Sequence, residues 1–295
     1  MSGLNQQFAK LPYAFIAYRG FESPSLRIIY LFILLYKIII VLFLFNTLLF
    51  SQKRSEDDYQ KKIFSSDDKS IKYRILEPFY GEKEPVPLFI FLHGSGERGY
   101  DNKSQLIHGS EFFLKETEKQ QYNSYVVFPQ CPLDTRWSYH KVDPWTGENL
   151  FTSKEKKKIS NYGNLVIELI EKLINEKNID QNRIYISGLS MGGYGTFDLV
   201  SHRPEMFAAA APICGAADLE LLENAKKVPF WIFHGEMDKV VPVKNSRDAY
   251  QLLKKFSNQN IYTEYKGVYH NSWDSVFKEN NFFEWFFKKK KISTQ

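Results

Sequence analysis

The sequence predicts an α/β protein, built on a mostly parallel central sheet of about eight strands with helices on both faces. Short apolar runs alternate with amphipathic stretches along most of the chain, a pattern typical of strands joined by helices. The chemically distinctive segments follow these apolar runs directly. Ligands bind beyond the carboxyl ends of the strands in sheets of this kind, so the pattern also predicts where the site lies.

The chain opens with a segment of different character. Residues 28–50 form an apolar run interrupted by Lys37, and a run of this length can span a bilayer as a signal anchor. Alternatively, Lys37 begins a signal peptide, residues 38–50 form its apolar core and cleavage falls near Ser51. A buried core helix is the third interpretation, although such helices are rarely so uniformly apolar. We expect residues 1–51 to be an extension of one of the first two kinds, which contacts a membrane.

Residues 52–295 contain no long linker and no repeat, so they predict one domain. Export would place it in the periplasm, outside the cell, or anchored on the outer side of a membrane. Its predicted strands are Ile71–Leu76, Pro87–Leu92, Tyr125–Phe128, Arg183–Ser187, Phe207–Ile213, Phe230–Phe233 and Ile261–Tyr265. Apolar residues at helical spacing between Leu165 and Ile174 predict a helix with one buried face. Further helices are predicted over Tyr194–Ser201 and from about Ser275 to Lys288.

The composition argues against a nucleic-acid-binding protein and against a disulfide-linked one. The net charge is +5, but acidic residues are nearly as numerous as basic ones and the lysine-rich stretches are local, so we expect no nucleic-acid partner. The only two cysteines, Cys131 and Cys214, follow predicted strands that two others separate. These strand ends should lie roughly 14 Å apart, beyond disulfide reach. We therefore expect free thiols.

Gly188-Leu-Ser-Met-Gly192 is a G-x-S-x-G pattern between a predicted strand and a predicted helix. In this context the serine lies on a sharp, strained turn with its hydroxyl exposed at the end of the sheet. The flanking glycines leave room where the chain nearly touches itself. Ser190 is therefore the predicted nucleophile.

A serine hydroxyl needs a base, and the base needs an orienting acid. After a nucleophile of this type the acid comes first along the chain and the histidine follows. His270 is the last histidine and follows the last predicted strand, whereas His234 precedes every acid in its loop. Asp238 lies in a tight turn after a strand, so it is the predicted acid. Nearby Glu236 and Asp218 are expected to be solvated or structural.

The oxyanion of the tetrahedral intermediate needs backbone donors. The Met191 N–H directly follows the nucleophile, and a second donor should come from the glycine-rich loop after the strand that ends at Leu92. We assign it to the N–H of Ser95 or Gly94. His93 is expected to support this loop from beneath.

These segments together resemble the α/β-hydrolase superfamily, and within it bacterial esterases described as predicted peptidases or phospholipase/carboxylesterase-like proteins. The matching blocks extend over roughly residues 70–275 and are Leu92–Gly99 with Asp101-Asn102 and Gln105-Leu106, Pro129–Pro132 with Trp137, Gly188–Gly195, Ala211–Gly215, Phe233–Asp238, and Tyr265 with His270–Trp273. The resemblance implies a Ser190–Asp238–His270 triad, ester hydrolysis through an acyl-enzyme, and no metal or organic cofactor.

Some members of this group act on acetyl or feruloyl esters of plant polysaccharide, and others act on small synthetic esters. Trp137 and Trp273 are candidates to stack on a sugar or a phenolic acyl group, with core packing as the alternative. Two other function classes stay open. One is a serine peptidase of the prolyl-oligopeptidase type, and the other is a binding module that has lost the chemistry.

Overall fold

The computed structural model describes residues 24–49, 54–139, 141–142, 149–150 and 158–291. Contacts divide the chain into two units, residues 1–53 and 54–295. In the first unit, Pro24–Leu49 forms helix α1. Among the residues described, no helix combines the length and the apolar character needed to cross a membrane. The predicted cleavage position near Ser51 lies outside the described residues, and the signal segment and the export of the chain stay predictions.

The second unit is organised around an eight-stranded sheet in the order β1-β2-β4-β3-β7-β8-β9-β10. The β1–β2 and β2–β4 pairs are antiparallel, and the other five pairs are parallel. The predicted mostly parallel α/β sheet is therefore confirmed. The strands are β1 Gln60–Ser66, β2 Lys69–Leu76, β3 Val86–Leu92, β4 Tyr125–Gln130, β7 Ile179–Leu189, β8 Ala209–Ile213, β9 Trp231–Gly235 and β10 Ile261–Tyr265, while β5 Lys141–Val142 pairs separately with β6 Asn149–Leu150.

The second unit also contains seven α-helices within its described residues. These are α2 Ser110–Thr117, α3 Asn161–Glu176, α4 Met191–His202, α5 Leu219–Leu222, α6 Lys244–Lys254, α7 Trp273–Val276 and α8 Phe282–Phe287. The single final helix predicted over about 275–288 is wrong, because residues 277–281 are not helical and separate α7 from α8. Phe277 packs against Phe112 at the start of this break, and the phenylalanines of α8 pack deeper after it.

Both faces of the sheet are covered, as the apolar runs predicted. Successive side chains of a strand point to opposite faces, so β3 places Leu88 and Ile90 in one core and Phe89 and Phe91 in the other. The first core contains the buried faces of α3, α4 and α6. The second contains α2 and the aromatic helix α8.

The parallel strands determine where the site lies. β3, β7, β9 and β10 all point the same way, so their carboxyl ends share one edge of the sheet. Each strand is followed there by one of the segments identified from the sequence: the glycine-rich loop, Ser190, Asp238 and His270. Cys131 and Cys214 follow β4 and β8, which β3 and β7 separate, and both are free thiols as predicted.

Candidate active site

Ser190 occupies the turn between β7 and α4. Its backbone has φ 52° and ψ −117°. Residues other than glycine rarely adopt this conformation, and those that do are concentrated at functional sites. The Ser190 N–H donates to the carbonyl of Ile213 at 2.9 Å, which ties the turn to the end of β8. The strained turn predicted from the sequence is present.

The glycines on either side of Ser190 are required by close backbone contacts. A Cβ placed on Gly188 would lie 2.5 Å from the carbonyl oxygen of Gly192, and one on Gly192 would lie 2.0 Å from the carbonyl oxygen of Leu92. No Cβ tolerates these distances. The start of α4 is thus packed directly on the end of β3, and the serine turn lies beside the loop that follows Leu92.

Three side chains from three strand ends form one hydrogen-bonded line. The Oγ of Ser190 lies 2.9 Å from Nε2 of His270. The Nδ1 of the same ring lies 2.7 Å from Oδ2 of Asp238. A carboxylate only accepts hydrogen bonds, so Nδ1 carries the proton and donates it, which leaves Nε2 free to accept from the serine hydroxyl. The structure thus joins a hydroxyl, an imidazole and a carboxylate in one continuous line.

Asp238 is held in place by its own turn. Its Oδ1 accepts the backbone N–H groups of Val240 at 2.8 Å and Val241 at 2.9 Å, and its side chain is fully buried. Burial alone would raise the pKa of this carboxyl group. Hydrogen bonds from His234, His270 and the Val241 N–H outweigh burial, and they hold the pKa of Asp238 well below its usual range. The carboxylate therefore stays charged where it faces His270.

The other acids near the site have structural contacts. The partly buried side chain of Glu236 accepts the N–H of Gly267 at 2.9 Å, which joins the β9 and β10 turns. Asp218 caps α5 by accepting the N–H groups of Glu220 and Leu221. Both residues behave as the sequence predicted.

The predicted oxyanion donors flank the serine. Met191 is the first residue of α4, and Ser95 begins a short 3-10 helix after Gly94, so the N–H groups of Met191 and Ser95 have no partner within their own helices. A Cβ on Gly94 would lie 2.8 Å from the side chain of Leu189. The loop therefore packs against the residue that precedes the nucleophile.

His93 supports the glycine-rich loop from beneath, as expected. Its Nε2 accepts the N–H of Cys131 at 2.9 Å, so Nδ1 carries the proton and donates to the Gly94 carbonyl at 2.6 Å. Burial lowers the pKa of His93 to about 4. The ring is therefore neutral and acts as a structural connection between the ends of β3 and β4.

Of the two tryptophans proposed to contact substrate, the structure excludes one. Trp137 is completely buried, and its indole N–H donates to the carbonyl of His93 at 3.0 Å. It belongs to the core, and its assignment as a substrate contact was wrong. Trp273 is only partly buried, and its ring stands edge-on to His270 with 5.5 Å between centroids.

Trp273 also lines an open groove of about 980 Å³, and the groove approaches His270 through this ring. His108, which the sequence did not single out, lines the same groove, with its ring 5.2 Å from that of Trp273. Its Nε2 lies 3.7 Å from the buried carboxylate of Glu97 in the glycine-rich loop.

A second residue whose role the sequence did not indicate is His234, whose Nε2 lies 3.2 Å from Oδ2 of Asp238. Its position four residues before the acid, at the end of a strand, was the available signal.

Among the described residues, one group has the spacing of metal ligands: Cys214, Asp238 and His270, whose ligand atoms lie within 4.8 Å of one another. Two of the three are already bonded to each other in the Ser190–His270–Asp238 line. Burial raises the pKa of the Cys214 thiol to about 12, so the thiol is neutral in the arrangement that the structure shows.

A family model described as phospholipase/carboxylesterase matches residues 79–283, a range that contains all three residues of the hydrogen-bonded line. The crystal structure of a thermostable esterase superposes with a TM-score of 0.72 and 36% identity, covering 80% of this chain and 64% of that one.

Two similar proteins carry names that describe an activity. A bifunctional acetylxylan esterase/xylanase from Neocallimastix patriciarum is 33% identical over 94 residues, which are 32% of this chain and 14% of that protein. Acyl-protein thioesterase 1 of Neurospora crassa is 26% identical over 204 residues, covering 62% of this chain and 79% of that protein. The chain thus spans a small part of the first relative and most of the second.

Proposed function

Because the chain belongs to the phospholipase/carboxylesterase family of α/β-hydrolases, we propose that it hydrolyses carboxylic esters through a covalent acyl-enzyme. Ser190 is the nucleophile, His270 the general base and Asp238 the acid that orients the base. The observation that carries this proposal is the continuous hydrogen-bonded line from Ser190 Oγ through His270 to Asp238. The strained turn at Ser190 supports the same proposal, because a binding module would have no reason to keep it.

The geometry supports a two-stage reaction. As Ser190 Oγ attacks the ester carbonyl, His270 Nε2 takes the hydroxyl proton, and the charged Asp238 stabilises the imidazolium that forms. The backbone N–H groups of Met191 and of Ser95 or Gly94 bind the oxyanion, a contribution worth about 10²–10³ in turnover per donor. His270 then passes the proton to the leaving alcohol, and a water molecule activated by the same base releases the acyl group.

For the substrate we propose a short acyl group, acetyl or feruloyl, esterified to a carbohydrate. The groove beside Trp273 supports this class because charged side chains such as Glu111, Lys115 and Lys278 line it along with aromatic ones. Sugar hydroxyls bond to such groups, whereas a long acyl chain would need an apolar lining. The partial likeness to an acetylxylan esterase points the same way.

A fluorophosphonate probe tests the nucleophile. The folded protein should be labelled at Ser190, and Ser190→Ala should abolish both labelling and hydrolysis of p-nitrophenyl acetate. Ser65→Ala, which removes an exposed serine from the edge strand β1, is the matched control and should behave as wild type. Labelling that persists in Ser190→Ala would refute the assignment.

A substrate panel tests the specificity. Acetylated and feruloylated oligosaccharides should be cleaved with higher kcat/KM than p-nitrophenyl palmitate or a peptide p-nitroanilide. Preference for the anilide would instead favour the peptidase alternative. Trp273→Ala should raise KM for the oligosaccharide esters more than for p-nitrophenyl acetate. Phe256→Ala, an exposed aromatic residue outside the groove, should change neither value.

A further inference from the structure

The catalytic carboxylate is shared by two histidines. Besides His270, the ring of His234 lies against Asp238, with Nε2 at 3.2 Å from Oδ2, the same oxygen that accepts from His270. His234 is the penultimate residue of β9 and is completely buried. It makes no contact with Ser190 that the structure records, so the triad chemistry leaves it unexplained.

The contacts of His234 determine where its proton lies. Nε2 is 2.9 Å from the carbonyl oxygen of Val241. A carbonyl oxygen only accepts, so Nε2 carries a proton, and this N–H is directed at both the Val241 carbonyl and Asp238 Oδ2. On the other side of the ring, Nδ1 lies 2.7 Å from the hydroxyl of Ser246, which stands on α6. Both ring nitrogens are therefore engaged, and the ring cannot turn without losing these bonds.

His234 completes the set of donors around the carboxylate. Oδ1 accepts the N–H groups of Val240 and Val241, while Oδ2 accepts from His270 and from His234. Four donors thus surround two oxygens that offer about four lone-pair sites. The two backbone bonds hold Oδ1, and His234 together with His270 holds Oδ2.

We propose that His234 is a positioning residue of the triad, which acts through Asp238. The His234 Nε2–H holds Asp238 Oδ2 in the position where this oxygen accepts from His270 Nδ1. The same hydrogen bond also weakens the carboxylate as an acceptor for the proton of the His270 imidazolium. Ser246 extends this support to α6, because it stands on that helix and its hydroxyl lies 2.7 Å from His234 Nδ1. Asp238 is thereby connected, through His234 and Ser246, to α6, the helix that packs against β9. This inference rests on the proposed ester hydrolysis.

Three variants test the role, with kcat and KM measured separately on p-nitrophenyl acetate. His234→Leu removes the donor and should lower kcat roughly 10- to 100-fold, by analogy with residues that orient metal ligands, with little change in KM. His234→Gln places an amide N–H near the position of Nε2 and should restore most of kcat. Ser246→Ala leaves the Nε2 donor in place and should cause a smaller loss than His234→Leu.

The acid limb of the kcat/KM profile separates positioning from a general loss of structure. Without its second donor, Oδ2 becomes a stronger acceptor for the imidazolium of His270, so the acid limb of His234→Leu should move to higher pH. That of His234→Gln should stay near wild type. Equal loss of kcat in the Leu and Gln variants, or an unmoved acid limb in His234→Leu, would overturn the proposal.

A measurement on the wild-type protein covers the case in which the variants do not fold. A ¹⁵N-edited spectrum of the histidine side chains should show the His234 Nε2–H as a slowly exchanging proton. If Nε2 carries no proton, His234 is not a donor to Asp238 and the proposal fails. This spectrum does not depend on turnover. An inactive wild-type enzyme would refute the proposed function, whereas a missing Nε2–H would refute only the role of His234.

Discussion

Gly192→Ala probes the closest backbone contact in the site. The new Cβ would lie 2.0 Å from the Leu92 carbonyl oxygen and 2.8 Å from that of His93, whereas real Cβ atoms essentially never come within 3.0 Å of such groups. Neither side of the contact is a flexible side chain. The start of α4 must therefore move at least about 1 Å away from the end of β3, which follows from the distances of an ordinary packed interior.

This displacement separates the parts of the site that must act together. Ser190 and Met191 lie on the α4 side, while Gly94 and Ser95 lie on the β3 side, so the two oxyanion donors move apart. A misplacement of about 1 Å lowers the rate roughly 10²-fold. Overpacking of this kind costs about 1–3 kcal/mol, and each kcal/mol lowers Tm by roughly 2–4 °C in a domain of this size.

The assay compares kcat/KM for p-nitrophenyl acetate with Tm from circular dichroism. Gly96→Ala is the control, because a Cβ there meets nothing within 4 Å and the backbone φ is not positive. Its Tm should match wild type, and its kcat/KM should stay within about twofold. If Gly192→Ala keeps wild-type kcat/KM, the reasoning from the Leu92 contact is refuted.

Asp238→Asn should lower kcat about 10⁴-fold, because an amide favours the wrong tautomer of the base. Asp68→Asn, which changes an exposed carboxylate between β1 and β2, should leave it unchanged; equal effects would contradict the assignment. The pKa of Asp238 is held low in the folded protein, so its contribution to stability is complete above the unfolded value near 3.9 and is lost as the pH falls below it. Acid titration of the free energy of unfolding should therefore be less steep for Asp238→Asn, and an equal slope would show that the folded-state pKa is not depressed. Burial raises the pKa of both thiols to about 12, so a disulfide reagent should modify neither Cys131 nor Cys214 until the protein unfolds in denaturant, and rapid reaction of the native protein would contradict their burial.

Local signals were sufficient for the interior strands and for the strained turn at Ser190. An uninterrupted apolar run such as Val86–Leu92 has few alternatives to a strand buried on both faces. Edge strand β1, in contrast, escaped prediction because Ile63 and Phe64 are its only apolar residues and one side of it has no strand to pair with. The final helix was predicted too long because its phenylalanines suggested one continuous face. The break between α7 and α8 depends on where Phe277 packs, which is a tertiary contact.

In the site, too, some features could be predicted from the local sequence and others depended on tertiary contacts. Chain order after Ser190 indicated which acid and which histidine belong together, because the order of strands in this architecture constrains it. Trp137 follows β4 in a loop and Trp273 begins α7. They are the same residue type, yet one lies entirely in the core and the other lines the groove. No local feature distinguishes them, since burial depends on the elements that pack around each ring.

The sequence by itself determined the architecture and the identity of the three aligned residues, because periodicity and motif order are encoded in neighbouring positions. Only the tertiary structure decided how the acid is held. Asp238 accepts hydrogen bonds from the Val240 and Val241 N–H groups and from His270 and His234. Ser246 on α6 in turn contacts His234. Hydrogen bonds require contact within about 3 Å, and contacts between distant segments exist only after the sheet has brought the strand ends together.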